Sequence, residues 1–245
     1  MAKKQDDAFD QAYSRGAKVK RFFTIIVFIL TVITCIQLFF IHDSKQFNRQ
    51  VFSLIQYVAF FLILNSPKLL KKYHLEVPVE VYIVVTIFAF LGLVLGDGLN
   101  FYGRIHWWDS LLHFASGVIL SFIAMWMIQM LIGRHERHQL LDTVLIYIFV
   151  ASFSLAAGAF WELCEYTTDD LFKTNNQQYM ASTRGTIITK NDVPLVGHAA
   201  LTDTMKDLAL DLGGALVVIA YECSKKGLQK KLKEKKSQET SKKNE

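Results

Sequence analysis

The sequence predicts an all-α membrane protein, a polytopic bundle of about six transmembrane helices. Three observations carry that prediction. Apolar runs of roughly 20 residues recur along the chain, the length a helix needs to cross a bilayer core of about 30 Å. Hydrophobic residues make up 52% of the 245, and the mean hydropathy is +0.26, which suits neither a disordered chain nor an ordinary soluble domain. Only 3 prolines and 13 glycines interrupt the helical pattern. The length suffices for one membrane domain and is too short for a second, soluble one.

Residues 1–21 form a basic N-terminal segment. The first span, 22–41, reads FFTIIVFILTVITCIQLFFI. It is longer than the roughly 7–15 residues of a signal core and no small-x-small site follows it, so it is a retained anchor. The second span, 49–65, is shorter and carries Gln56. The third, 79–96, is VEVYIVVTIFAFLGLVLG. The fourth covers 106–132, the fifth 141–166 and the sixth 202–223. The membrane domain is thus 22–223, with a long loop at 167–201 and a Lys-rich tail at 224–245. No strong repeat relates its halves.

Basic residues set the orientation. Alternate loops and both termini hold 20 Lys and Arg against 6 on the other side, which places both termini in the cytoplasm of a bacterial inner-membrane protein. The tail, SKKGLQKKLKEKKSQETSKKNE, supplies most of the net charge of +5. It is expected to be disordered and to rest on anionic lipid heads, at about 1 kcal/mol per charge, and no nucleic-acid partner is expected. Cys35, Cys164 and Cys223 are scattered and form neither a metal motif nor a disulfide framework.

On this topology the acids gather at one depth. Asp109 and His113 stand at i and i+4 in span four, Glu162 and Glu165 at i and i+3 in span five, and Asp203, Asp207 and Asp211 every four residues in span six. All fall in the extracytoplasmic half, with Asp211 about 12 Å below Asp203 at 1.5 Å rise per residue. Some have plain explanations. Asp203, or Thr202 beside it, and Asp109 can cap their helices. His106, Trp107 and Trp108 suit an interfacial belt. Asp97 and Arg104 can pair in a loop, Glu165, Asp169 and Asp170 can be solvated, and His198 is a loop histidine. Capping fails for the deeper set. Asp211 lies two turns inside its helix, Glu162 is near a helix C-terminus where the dipole opposes it, and His113 sits in an apolar stretch. A charge within a bilayer costs at least about 2.5–3.5 kcal/mol on insertion scales, so three such groups on three helices call for a shared pocket.

The strings GRIHWWDSLLH, WELCEY and DTMKDLALDLGGA resemble the YjdF-like inner-membrane proteins, from about span three to the end. More distantly the order of motifs resembles VanZ-like membrane proteins. Their D-x-x-x-H is matched by Asp109 and His113. Their E-x-x-Q is met by Glu162 with Glu165 in place of Gln, and D-x-x-x-N-x-x-G by Asp207, Asp211 and Gly214 with Asp in place of Asn. The VanZ resemblance implies cell-envelope work and no defined reaction.

Three function classes follow. The first is an enzyme on a lipid or lipid-linked substrate, with Asp109, His113, Glu162, Glu165, Asp207 and Asp211 as catalytic groups. Crowded carboxylates raise one another's pKa, so the set needs shared protons or a divalent metal ion, for which Asp109, His113, Glu162, Asp207 and Asp211 are hard ligands in one expected pocket. The loop 167–201 is long enough for a lid, TRGTIITKNDVPLVG suits a short hairpin, and Arg184 and Lys190 would meet an anionic head group. The second class is a proton- or ion-coupled transporter, which commonly places its site nearer the midplane. The third is a non-catalytic envelope scaffold or resistance protein whose polar network only holds the bundle.

Overall fold

The computed structural model describes residues 2–73, 77–132, 139–181, 188 and 190–243. Among the described residues the chain is helical, with an isolated antiparallel bridge between Met180 and Pro194. The helices are α1 (Ala2–Leu38), α2 (Ser44–Lys72), α3 (Val79–Ala89) running on into a π-helical segment (Phe90–Gly98), the short α4 (Phe101–Arg104), α5 (Trp108–Ile132), α6 (Gln139–Phe172) and α7 (His198–Lys243). Among the described residues five stretches are long and apolar enough to cross a membrane: Gly16–Leu38, Ser44–Leu70, Val79–Gly98, Trp108–Gln129 and Thr143–Phe172. Large apolar side chains such as Phe28, Val58 and Phe160 face outward, as they do where lipid is the solvent. The expected sixth span, 202–223, is helical within α7 but is not among these five. Its aspartates and the lysines after Cys223 leave it less apolar than the other five.

The helices answer to local chemistry. Asp43 caps α2, its Oδ1 accepting from the amides of Lys45 at 2.7 Å and Gln46 at 3.3 Å. Pro67 lies inside α2 and cannot donate to the carbonyl of Ile63. The Ser66 hydroxyl supplies that bond at 2.8 Å, as a buried backbone group in lipid requires. The tail expected to be disordered instead continues α7 to Lys243. Lys, Glu, Gln and Leu are strong helix formers, and no proline follows Pro194 to stop the helix.

The chain divides into two compact units, 1–112 with 160–206 and 113–159 with 207–245. The core of the larger unit is built where α1, α2, α3 and the π-helical segment meet, on Phe23, Val27, Tyr57, Phe60, Leu64, Leu93 and Val94. Phe60, Leu64 and Val94 are fully buried. The smaller unit contains most of α5, the first part of α6 and α7 from Asp207 onward.

Candidate functional site

In the smaller unit small residues prepare a place for one aspartate. A Cβ on Gly117 of α5 would collide with the backbone carbonyl of Asp211, and one on Gly158 of α6 would strike the Asp211 carboxyl group. A Cβ on Gly214 would meet the Phe114 carbonyl and the Val118 amide. Such close approach of helix backbones is the usual role of small residues in membranes. It leaves Asp211 with no solvent exposure.

The partners of Asp211 are specific. Its Oδ2 lies 3.1 Å from His113 Nδ1, its Oδ1 accepts from the Ser116 hydroxyl, and its backbone carbonyl accepts from Ser154 at 3.2 Å. His113 is 5% exposed and Asp207, one turn earlier on α7, is 1% exposed. A nitrogen of His113 and a carboxylate oxygen of Asp207 lie within 4.8 Å of one another. A carboxylate can only accept, so with Asp211 as the anion the ring proton would sit on Nδ1 and the lone pair on Nε2. This is how a carboxylate behind a histidine orients it as a metal ligand or a base.

The larger unit handles its acids differently. Asp97, Asp109 and Glu165 line a cavity of about 240 Å³ together with Gln56, Tyr102 and Asn176, its floor being apolar at Phe52 and Leu93. Trp161 Nε1 donates to Glu165 Oε1 at 2.8 Å. Asn176 Oδ1 is buried with no donor among the described residues. Asp97 ends the π-helical segment, an irregularity frequent where a side chain must be re-aimed. Among the described residues its expected loop pairing with Arg104 does not form, and Arg104 lines a different cavity.

Further along, Asp169 ties down the chain after α6. Its Oδ1 accepts from the Thr174 hydroxyl at 2.6 Å and the Asn176 amide at 2.7 Å, and its Oδ2 from the Gln177 amide at 3.0 Å. Gln177 Nε2 in turn reaches Glu162 Oε2, the Glu162 carbonyl and the Thr204 hydroxyl, at 3.2, 3.3 and 3.2 Å. Asn175 is fully buried and closes a turn by bonding both the amide and the carbonyl of Met180.

The predicted residues therefore sort by unit. His113, Asp207 and Asp211 come together in the smaller one. Asp109 and Glu165 line the cavity of the larger one, where Glu162 is engaged by Gln177. Asp109 lies in the first turn of α5, inside its start at Trp108 and not at the cap position. Asp203 is not a cap, since α7 begins five residues earlier at His198 after Gly197 with φ +62°. Glu165 and Asp169 are buried while Asp170 stays exposed. The loop 167–201 is not an unpacked lid over its first part, because Thr174, Asn175 and Gln177 are structural. The first half of the expected hairpin, TRGTIITKNDVPLVG, lies largely outside the described residues; Met180, just before it, bridges Pro194, flanked by Ala181 N–Val193 O and Leu195 N–Tyr179 O bonds of 2.9 and 2.8 Å. Lys190 is exposed, and Arg184 lies outside the described residues. Sequence reasoning passed over Ser116, Gly158 and Gln177. Ser116 stood three residues from His113, on the same helix face.

A family model described as "Predicted membrane protein (DUF2238)" matches residues 21–225. An "Uncharacterized protein" of Thermotoga maritima is 28% identical over 182 residues, covering 73% of this chain and 81% of the relative. No solved structure matches. The chain belongs to the DUF2238 family of predicted membrane proteins.

Proposed function

We propose that this DUF2238 member is an envelope enzyme of the bacterial inner membrane that acts on a lipid or lipid-linked substrate, with the buried His113–Asp211 pair at its centre. The observation that supports this most is the 3.1 Å contact between two ionisable groups that are almost wholly buried. Such groups within a membrane helix are costly and mark function more often than packing. In this reading Nε2 of His113 and the carboxylate of Asp207 are donors to a divalent cation. The mixed nitrogen and oxygen set suits zinc, iron or manganese better than calcium. Bound there, the ion would supply Lewis-acid chemistry and an acidified water. The chain's own part is to fix the imidazole through Asp211, hold Asp211 through Ser116, and keep water out with the close-packed glycines.

The same proposal places both termini and the Lys-rich end of α7 in the cytoplasm, the lysines resting on anionic lipid heads. Tags at either end should then read cytoplasmic and a tag at Asn191 external. The enzyme reading is tested by metal analysis of the purified protein, wild type beside His113→Ala and Asp211→Asn, with total lipid profiling of a deletion strain. The expected result is a divalent ion in the wild type, its absence in His113→Ala, and a changed lipid class in the deletion. Equal metal content in all three proteins, or an unaltered lipid profile, would overturn it.

A further inference from the structure

A second cavity of the larger unit, about 510 Å³, is lined by a different face of α2 from the acid-lined one. Residues 52, 55, 56 and 59 of α2 face the acidic cavity, while 46, 49, 50, 53 and 57 face this one. The charge is opposite too. Arg49 and Arg104 both line it, and no carboxylate does. Among the described residues neither guanidinium makes an ion pair, and both line the one cavity. Two like charges held together without a counter-charge are unfavourable in any medium. A half-buried arginine at the edge of a membrane span needs an anion more than an exposed one does.

The remaining lining describes that anion. Gln37, Gln46 and Gln50 add amide donors beside the two guanidinium forks, whose planar geometry matches a phosphate bidentately. Leu30 and Ile33 of α1 form an apolar wall on the same cavity, and Ile33 is itself largely exposed. The arginines stand near the start of α2 and at the end of α4, beyond the apolar middle of the spans. We infer that this cavity binds an anionic phosphate group, with Arg49 and Arg104 as its ligands. The apolar wall accommodates an acyl chain when the phosphate belongs to a lipid. The inference does not rest on the His113 site. It also shifts recognition of an anionic head group from Arg184 and Lys190 to residues of α2 and α4.

The test uses the purified full-length protein and native mass spectrometry. Phosphatidylglycerol and phosphatidylcholine are offered in equal amounts, and inorganic phosphate is added in a separate arm. The wild type should retain phosphatidylglycerol in preference. Arg49→Gln/Arg104→Gln should lower that retention by about 30-fold, since each positive charge near a membrane surface is worth on the order of fivefold. Arg49→Lys/Arg104→Lys should keep most of it. Displacement of the lipid by inorganic phosphate would assign recognition to the phosphate group alone, and persistence of the lipid would assign it to the whole phospholipid. Should the double variant not fold, Arg104→Gln alone, at an exposed position, should show about a fivefold loss. The inference is overturned if a folded glutamine variant retains phosphatidylglycerol and phosphate as the wild type does. It is equally overturned if the wild type retains neither above phosphatidylcholine.

Discussion

Asp169 and Asp211 are both buried aspartates on long helices, and the fold gives them different company. Asp169, in the larger unit, accepts three bonds from one hydroxyl and two backbone amides of the segment that follows it. Those donors are local, neutral and fixed. The carboxylate works as a knot that turns the chain out of α6. Asp211, in the smaller unit, meets an imidazole 98 residues away in sequence, and among the described residues no backbone amide holds its carboxylate. Its partner can change protonation state. Burial alone therefore does not describe an acid's surroundings, and the identity of its donors separates these two.

The largest effect should come from breaking the pair. His113→Ala leaves Asp211 buried beside Ser116 only, and removing one member of a buried pair typically costs about 3–5 kcal/mol. Thermal unfolding in detergent should show that loss, and bound metal should disappear. Glu165→Gln, in the larger unit, should leave metal content unchanged. If it removes the metal as well, the contrast between the units fails.

A smaller effect is expected at the knot. In Asp169→Asn an amide group must face one of the three donors, which leaves that donor unsatisfied at about 1–3 kcal/mol. Protease cleavage within 174–181 should speed up, while the metal content of the protein stays the same. Loss of metal in this variant would show that Asp169 belongs with the chemical acids.

The smallest concerns Tyr179, on the same loop. Burial first, then the charges of Asp169 and Asp170, push its phenol above the ordinary range. The neutral form is thus favoured in the folded state. The stability it adds is complete below the unfolded value of about 10 and fades as pH rises through the folded one. Tyr179→Phe should flatten the decline of the melting temperature above about pH 10. An unchanged slope would place the alkaline transition elsewhere.

Much of this was legible in the chain. Among the described residues apolar runs located the five candidate spans, because a bilayer core sets the apolar length a span needs. The four-residue rhythm of Asp207 and Asp211 and the position of His113 pointed to residues that the fold buries. What stayed hidden depended on contacts distant in sequence. Nothing local distinguishes Gln177, whose amide joins Glu162 to Thr204, from any other loop glutamine. Gly158 looks like an ordinary small residue in SLAAGAF until Asp211 occupies the space its side chain would need. The π-helical turn before Asp97 is likewise unmarked, since π- and α-turns draw on the same residues. The start of α7 was misplaced because Thr202 and Asp203 have cap chemistry, whereas the chain enters the helix through Gly197 and His198.

The central claim is that Asp211 holds the proton of a neutral His113 on Nδ1 and so presents Nε2. Nitrogen NMR of His113, in protein stripped of metal by a chelator, reads this directly. The account predicts a protonated Nδ1 and a bare Nε2 in the wild type. It predicts the reverse in Asp211→Asn, whose amide can donate to Nδ1 while its oxygen still accepts from Ser116. A wild-type ring protonated on Nε2, with Nδ1 bare, would contradict it.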